Sequence, residues 1–234
     1  MTLPILYSLR NCPYAMRARL AIYKSKQVVE LRDIVLKNKP AAMLAASPKA
    51  TVPVLVLSAT KGANADVLDE SLEIMIWALT QSDPLNLLRT QVLTSHAASS
   101  ELEPSTKLTD ILSLISLFDD EFKTCLEAYK CAKRYHESNL DDCRQACEVY
   151  IQNLEQRLSK HRYLFDENES LADLALLPFI RQFARIERQW YLQSPYPEVK
   201  RWLNQYLQSP MFTKVMAKYP LWSPEQAVVE FGDI

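Results

Sequence analysis

Hydrophobic positions change period along this chain near residue 80. Before that point, short apolar runs alternate with helical stretches. Leu3 to Ser8 is a short apolar run suited to a buried strand. After Cys12-Pro13, the stretch from Tyr14 to about Ser25 follows helical spacing. Tyr14, Ala18, Ala21 and Ile22 share one face there, with Arg17, Lys24 and Lys26 directed elsewhere. Pro13 suits the first helical position, where its missing N–H costs nothing. Val29 to Val35 predicts a second strand, and Pro40 to Ala46 a short helix stopped by Ser47-Pro48. Val52 to Leu57 is a third strand, residues 58–64 a polar turn, Ala65 to Leu68 a hairpin partner, and Leu72 to Leu79 a helix. The order β-α-β-α-β-β-α over residues 1–82 predicts one compact α/β unit.

Periodicity fades around Asp83-Pro84, so a linker is expected over 83–94 and a second, all-helical domain over 95–234. Leu108, Ile111, Leu112, Ile115, Phe118, Phe122, Leu126 and Tyr129 keep helical spacing over a long segment. Asp119-Asp120-Glu121 within it reads as a solvated face or a kink. A second helix runs from about Leu140 to Ser159. A third begins at Ser170, whose hydroxyl can cap it with Asp173 at the third helical position. Shorter helices follow over about 197–208 and 210–218.

Composition then removes whole classes of chemistry. The 234 residues contain two glycines, Gly62 and Gly232. Phosphate-binding loops, dinucleotide-binding turns and glycine-flanked serine elbows each need several glycines close together, so none can exist here. His96, His136 and His161 are too scattered for a zinc cluster, and no metal is expected. The net charge of −1 leaves no footprint for nucleic acid. No apolar stretch approaches the ~18 residues of a membrane span, and the first residues carry no signal-peptide core. Five irregularly spaced cysteines do not form a disulfide framework, so a reduced, cytoplasmic protein is expected. The charge is uneven: residues 1–82 carry ten basic and six acidic side chains.

Within that positive part, Cys12 sits between a strand and the helix that Pro13 opens. A thiol there meets unpaired backbone N–H groups and the positive end of the helix dipole. Both favour the thiolate, the nucleophilic form, and Arg10 and Arg17 can add positive potential. The plainer alternative is a buried small hydrophobe. Val52-Pro53 opens an apolar strand with a residue that cannot donate to the ladder, so it is an edge feature or a cis turn. Glu70-Ser71 leaves a strand and opens a helix. Its hydroxyl and helix-end N–H groups can bind a carboxylate and its glutamate an ammonium, or the pair can simply cap the helix. Lys39 alone reads as a solvated lysine. Cys143 and Cys147, four apart on one face, and Cys125 and Cys131 read as core packing rather than a metal site. Tyr14, Leu112, Trp190 and Trp222 are candidate walls of a second-substrate pocket, with Tyr14 favoured as the neighbour of the thiol.

Together these features resemble a cytosolic glutathione transferase: Cys-Pro-Tyr-Ala after the first strand, Val-Pro before the third, Glu-Ser before the third helix, and a helical second half. The cysteine at position 12 is most similar to the omega-like class. Ser170-Leu171-Ala172-Asp173 and Ser209-Pro210-Met211-Phe212 resemble motifs of the family's helical domain, whereas Glu169 departs from its usual apolar residue. The resemblance implies a thioredoxin-like α/β domain followed by an all-α domain, and a homodimer. It implies Cys12 as catalytic thiol, with Lys39 on the glycine carboxylate of glutathione. Val52, next to a cis Pro53, would pair with the cysteinyl part, and Glu70 and Ser71 would hold the γ-glutamyl group. The implied activity is thiol transfer through a Cys12–glutathione disulfide, with a small electrophile or disulfide as second substrate. Conjugation of glutathione and a non-catalytic interaction role are the alternatives. Ala15, three residues after Cys12, leaves no second thiol in the motif.

Overall fold

The structure, a computed structural model, describes residues 2–57, 66–90 and 108–232. Gly62, His96, the turn expected at 58–64 and the end of the expected linker lie outside the described residues. The chain forms two compact units, Met1–Pro84 with Gln208–Ile234, and Leu85–Leu207.

The first unit is thioredoxin-like. Its elements are β1 (Ile5–Ser8), α1 (Pro13–Lys24), β2 (Val28–Asp33), α2 (Ala41–Ala46), β3 (Val54–Val56), β4 (Val67–Leu68) and α3 (Ser71–Gln81). β1 pairs parallel to β2, with Ser8 opposite Asp33, and antiparallel to β3, which pairs antiparallel to β4. Tyr7, Ala15, Ile34, Met43, Val52 and Val54 form a buried apolar cluster beside the β1–α1 turn.

The C-terminal segment departs from the expected division. Gln208–Ile234, expected in the helical domain, belongs to the first unit. There, α10 (Pro210–Val215) packs on α1, and β5 (Glu230–Gly232) adds a fifth strand antiparallel to β2. The sheet order is β4-β3-β1-β2-β5. The Trp222 N–H donates to the Asp33 carbonyl at 2.8 Å.

This covering also corrects the expected polar face of α1. Ala15 to Ile22 are all buried, Arg17 and Arg19 included. Arg17 lies over the Tyr14 ring at 5.8 Å. Arg19 pairs with Asp33 and donates to Ser8 Oγ at 2.8 Å and to the Val215 carbonyl at 3.2 Å. A buried guanidinium is tolerated only when paired and hydrogen-bonded in this way.

The second unit is helical: α4 (Leu108–Leu117), α5 (Lys123–Tyr135), α6 (Leu140–Leu158), α7 (Leu171–Ile186), α8 (Arg188–Gln193) and α9 (Pro197–Leu207). A π-helical turn, Phe118–Phe122, joins α4 to α5. It buries both Phe118 and Phe122 against Tyr150 while Asp120 and Glu121 stay exposed. At the start of α7, Ser170 and Asp173 form the anticipated capping box. Asp173 reaches further, accepting from the Leu164 N–H at 3.1 Å and the Trp202 indole at 2.9 Å. Glu169 is buried because the Tyr206 hydroxyl donates to it at 2.7 Å. No described helix is long and apolar enough to cross a membrane.

Candidate active site around Cys12

Pro13 cannot donate an amide, so α1 begins there with Cys12 as its N-cap residue, in extended conformation (φ −76°, ψ 124°). The turn is closed by the Cys12 N–H on the Leu9 carbonyl at 3.0 Å, and the Met16 N–H returns to the Cys12 carbonyl at 2.9 Å. The Cys12 side chain makes no capping bond. It is half-buried against the apolar cluster, and its thiol donates to the Val52 carbonyl at 3.7 Å.

The Val52-Pro53 peptide bond is cis. Ala50, two residues before Val52, has φ +55°, a conformation that non-glycine residues seldom adopt. At the other edge, Glu70 is the N-cap of α3, again in extended conformation (φ −107°, ψ 131°) and again without a side-chain capping bond. Ser71, the first residue of α3, is buried. Tyr14 is half-buried beneath Arg17. Lys39 lies half-buried just before Pro40, the N-cap of α2, and makes no hydrogen bond or ion pair among the described residues.

Cys12 and Val52 are therefore in contact, whereas Glu70 is tied to Lys49, a pairing that no local pattern marks. Lys49 donates to Glu70 Oε1 at 2.7 Å and to Asp69 Oδ1 at 2.9 Å, and Ser47 Oγ donates to Asp69 Oδ2 at 2.7 Å. Glu70, then Asp69, holds the lysine ammonium above its ordinary range, and Lys49, then Ser47, holds the Asp69 carboxyl below its own. The signal available in the sequence was the position of Ser47-Pro48-Lys49, immediately upstream of Val52-Pro53.

The remaining cysteines belong to the helical unit. Burial pushes the Cys147 thiol up to about 12 and the Cys125 thiol upward as well. No group of three or more potential metal ligands occurs among the described residues. A cavity of about 310 Å³ on this unit is lined by Glu127, Lys130, Cys131, Lys133, Arg134, Tyr135 and Ile186, and Cys131 is exposed there rather than packed in the core as expected.

Comparison with known proteins agrees with this architecture. Residues 6–85 match the glutathione S-transferase N-terminal domain and residues 118–210 match the glutathione S-transferase C-terminal domain. No curated protein sequence matches the chain. Among solved structures, a glutathione transferase family member from Pseudomonas fluorescens with two glutathione bound is 17% identical over 92% of both chains, with a TM-score of 0.73. A glutathione transferase from Pseudomonas putida, with one glutathione disulfide bound per subunit, is 16% identical over 92% of this chain and 90% of the other, with a TM-score of 0.72. Poplar glutathione transferase F1 is 17% identical over 92% and 97%, with a TM-score of 0.70. At these identities the structural likeness speaks for the fold. The two domain matches, taken in order along one chain, carry the assignment: this protein belongs to the glutathione S-transferase family.

Proposed function

We propose that the chain is a glutathione-dependent thiol transferase of the omega-like kind, working through a mixed disulfide at Cys12. The observation that carries this reading is a half-exposed thiol at the N-cap of α1 in a member of this family. A hydroxyl there would stabilise glutathione's own thiolate for conjugation, whereas a thiol forms a disulfide with it. In the first step the Cys12 thiolate attacks the glutathione sulfur of a mixed disulfide. A Cys12–glutathione bond forms, and the substrate leaves as a thiolate that takes a proton from solvent. A second glutathione, as thiolate, then attacks the same glutathione sulfur. Glutathione disulfide leaves, and the Cys12 thiolate is restored. One free glutathione thiol is oxidised for each mixed disulfide reduced, because the other half of the released glutathione disulfide arrives with the substrate. In this reading Val52, beside the cis Pro53, pairs with the cysteinyl part of the ligand. Glu70 and Ser71 hold the γ-glutamyl group, Lys39 the glycine carboxylate, and Tyr14 borders the second substrate. The glutathione disulfide bound to the Pseudomonas putida relative supports a ligand of this class.

Treatment with glutathione disulfide should leave one covalent glutathione on Cys12, stable until a reductant is added. Cys12→Ser should not form it yet should still bind glutathione. Intact-mass spectrometry with peptide mapping reads both, and Cys147 should remain unmodified in the native chain because its thiol is buried and hard to ionise. An adduct confined to the other cysteines, with Cys12 free, would remove the assignment. Faster turnover of an aryl halide than of a glutathione mixed disulfide would favour conjugation instead.

A further inference from the structure

We infer that Lys49 is a specificity residue for the amino-acid head of the ligand, selecting γ-glutamyl compounds that carry both a free α-ammonium and a free α-carboxylate. The inference rests on the reading that Glu70 and Ser71 receive the γ-glutamyl group. Lys49 bridges two carboxylates that differ in how firmly they are held. Asp69 is anchored through its second oxygen to the hydroxyl of Ser47, a fully buried residue at the end of α2. Glu70 is the more exposed of the two, with 61% of its side chain accessible against 23% for Asp69. Lys49 thus has one fixed partner and one that is readily exchanged, since an exposed ion pair is weak.

A ligand ammonium arriving at Glu70 must share or replace the bond at 2.7 Å from Lys49. If the ligand brought only that ammonium, Lys49 would lose a partner and gain none. An α-amino acid head also brings a carboxylate, directed toward the start of α3 at Ser71. Lys49 keeps Asp69, releases Glu70 to the ligand and donates to the ligand carboxylate in exchange. Each charge then has an opposite neighbour. A head lacking either charge leaves the exchange incomplete, so acylated or decarboxylated γ-glutamyl groups are disfavoured.

The test is calorimetric titration of the whole chain with glutathione and with its analogue lacking the α-carboxylate (4-aminobutanoyl-cysteinylglycine). The proteins are wild type, Lys49→Met, Lys49→Arg and Ser71→Ala, with melting curves to verify folding. Lys49→Met should weaken glutathione binding by about three- to tenfold and tighten binding of the decarboxylated analogue, whose ammonium then meets no competitor at Glu70. Lys49→Arg, which keeps the charge, should restore most of the loss. If Lys49→Met binds glutathione equally or more tightly, or weakens both ligands by the same factor, the inference falls. If wild type does not bind glutathione, or Ser71→Ala binds it unchanged, the underlying reading of the site falls as well. Weakening by Ser71→Ala without weakening by Lys49→Met would remove the role of Lys49 alone.

Discussion

Ala15 occupies the position where a second thiol would make a dithiol motif, and it is fully buried against the cluster containing Tyr7, Met43 and Val52. Close packing there closes the position to any exchange partner, so in the proposed mechanism release of a Cys12 adduct depends on a thiol from outside the motif. Ser71 is the residue on which the proposed binding role can be separated from simple capping. Ser71→Ala should weaken glutathione binding by roughly 1.5–3 kcal/mol, the range for a hydrogen bond to a charged group. Unchanged affinity in a titration, alongside a lower melting temperature, would leave Ser71 as structural only. Cys12, Val52-Pro53 and Glu70-Ser71 were legible in the sequence because each sits where one element gives way to another, and punctuation by Pro or Ser is a local signal. Lys49 was not legible. Its partners Asp69 and Glu70 lie about twenty residues away, and no local pattern records that pairing.

The capping box of α7 is both a local device and a buried tertiary joint. Asp173 closes the helix on Ser170 and also accepts from Leu164 and Trp202, with no solvent exposure. Burial raises its carboxyl from the ordinary 3.8 to about 6, against the lowering effect of those hydrogen bonds. The stabilisation from this titration is fully present below 3.8 and is lost as the pH rises through about 6. Asp173→Asn removes the titration. The stability of wild type relative to the variant should therefore grow by about 3 kcal/mol as the pH falls from 7 to below 4, at ~1.4 kcal/mol for each tenfold. Urea unfolding of both proteins across that range measures it, and a constant difference would contradict the burial argument. The fifth strand depends on one residue. Gly232 has φ +135°, and a Cβ there would lie 1.8 Å from the Gln27 carbonyl oxygen. Gly232→Ala should loosen β5 from β2 at a cost of about 1–3 kcal/mol. Faster hydrogen exchange at the Leu31 amide, which donates to the Val229 carbonyl at 2.7 Å, would report it.

At the scale of the whole molecule, the first unit is assembled from both ends of the chain, and the helical unit is inserted between them in sequence. A chain ending at Leu207 should consequently lose exchange protection in β2 and α1, whose covering residues Val215, Trp222 and Phe231 are removed, while α6 and α7 keep theirs. Equal protection of β2 in the truncated and full chains would show that the C-terminal segment contributes nothing to the first unit. The same assembly changes the electrostatic picture. Ten basic against six acidic side chains over residues 1–82 become twelve against ten once residues 83, 84 and the C-terminal segment are included. Attraction of an anionic peptide thus rests on the local charges near Cys12 more than on the net field of the unit.

Local patterns by themselves determined the β-α-β-α-β-β-α order, the starts of α1, α3 and α7, the helical second half and the positions of Cys12, Val52-Pro53 and Glu70-Ser71. Periodicity, proline and capping residues act over a few neighbours and are readable in one dimension. Tertiary structure alone decided the burial of Arg17 and Arg19, the return of β5 to the sheet edge, the pairing of Lys49 with Glu70 and the membership of the C-terminal segment. Each of those depends on residues brought together from distant parts of the chain. A buried arginine and a solvated one follow the same helical spacing, and what separates them is the Asp33 carboxylate and the Val215 carbonyl that the fold carries to Arg19.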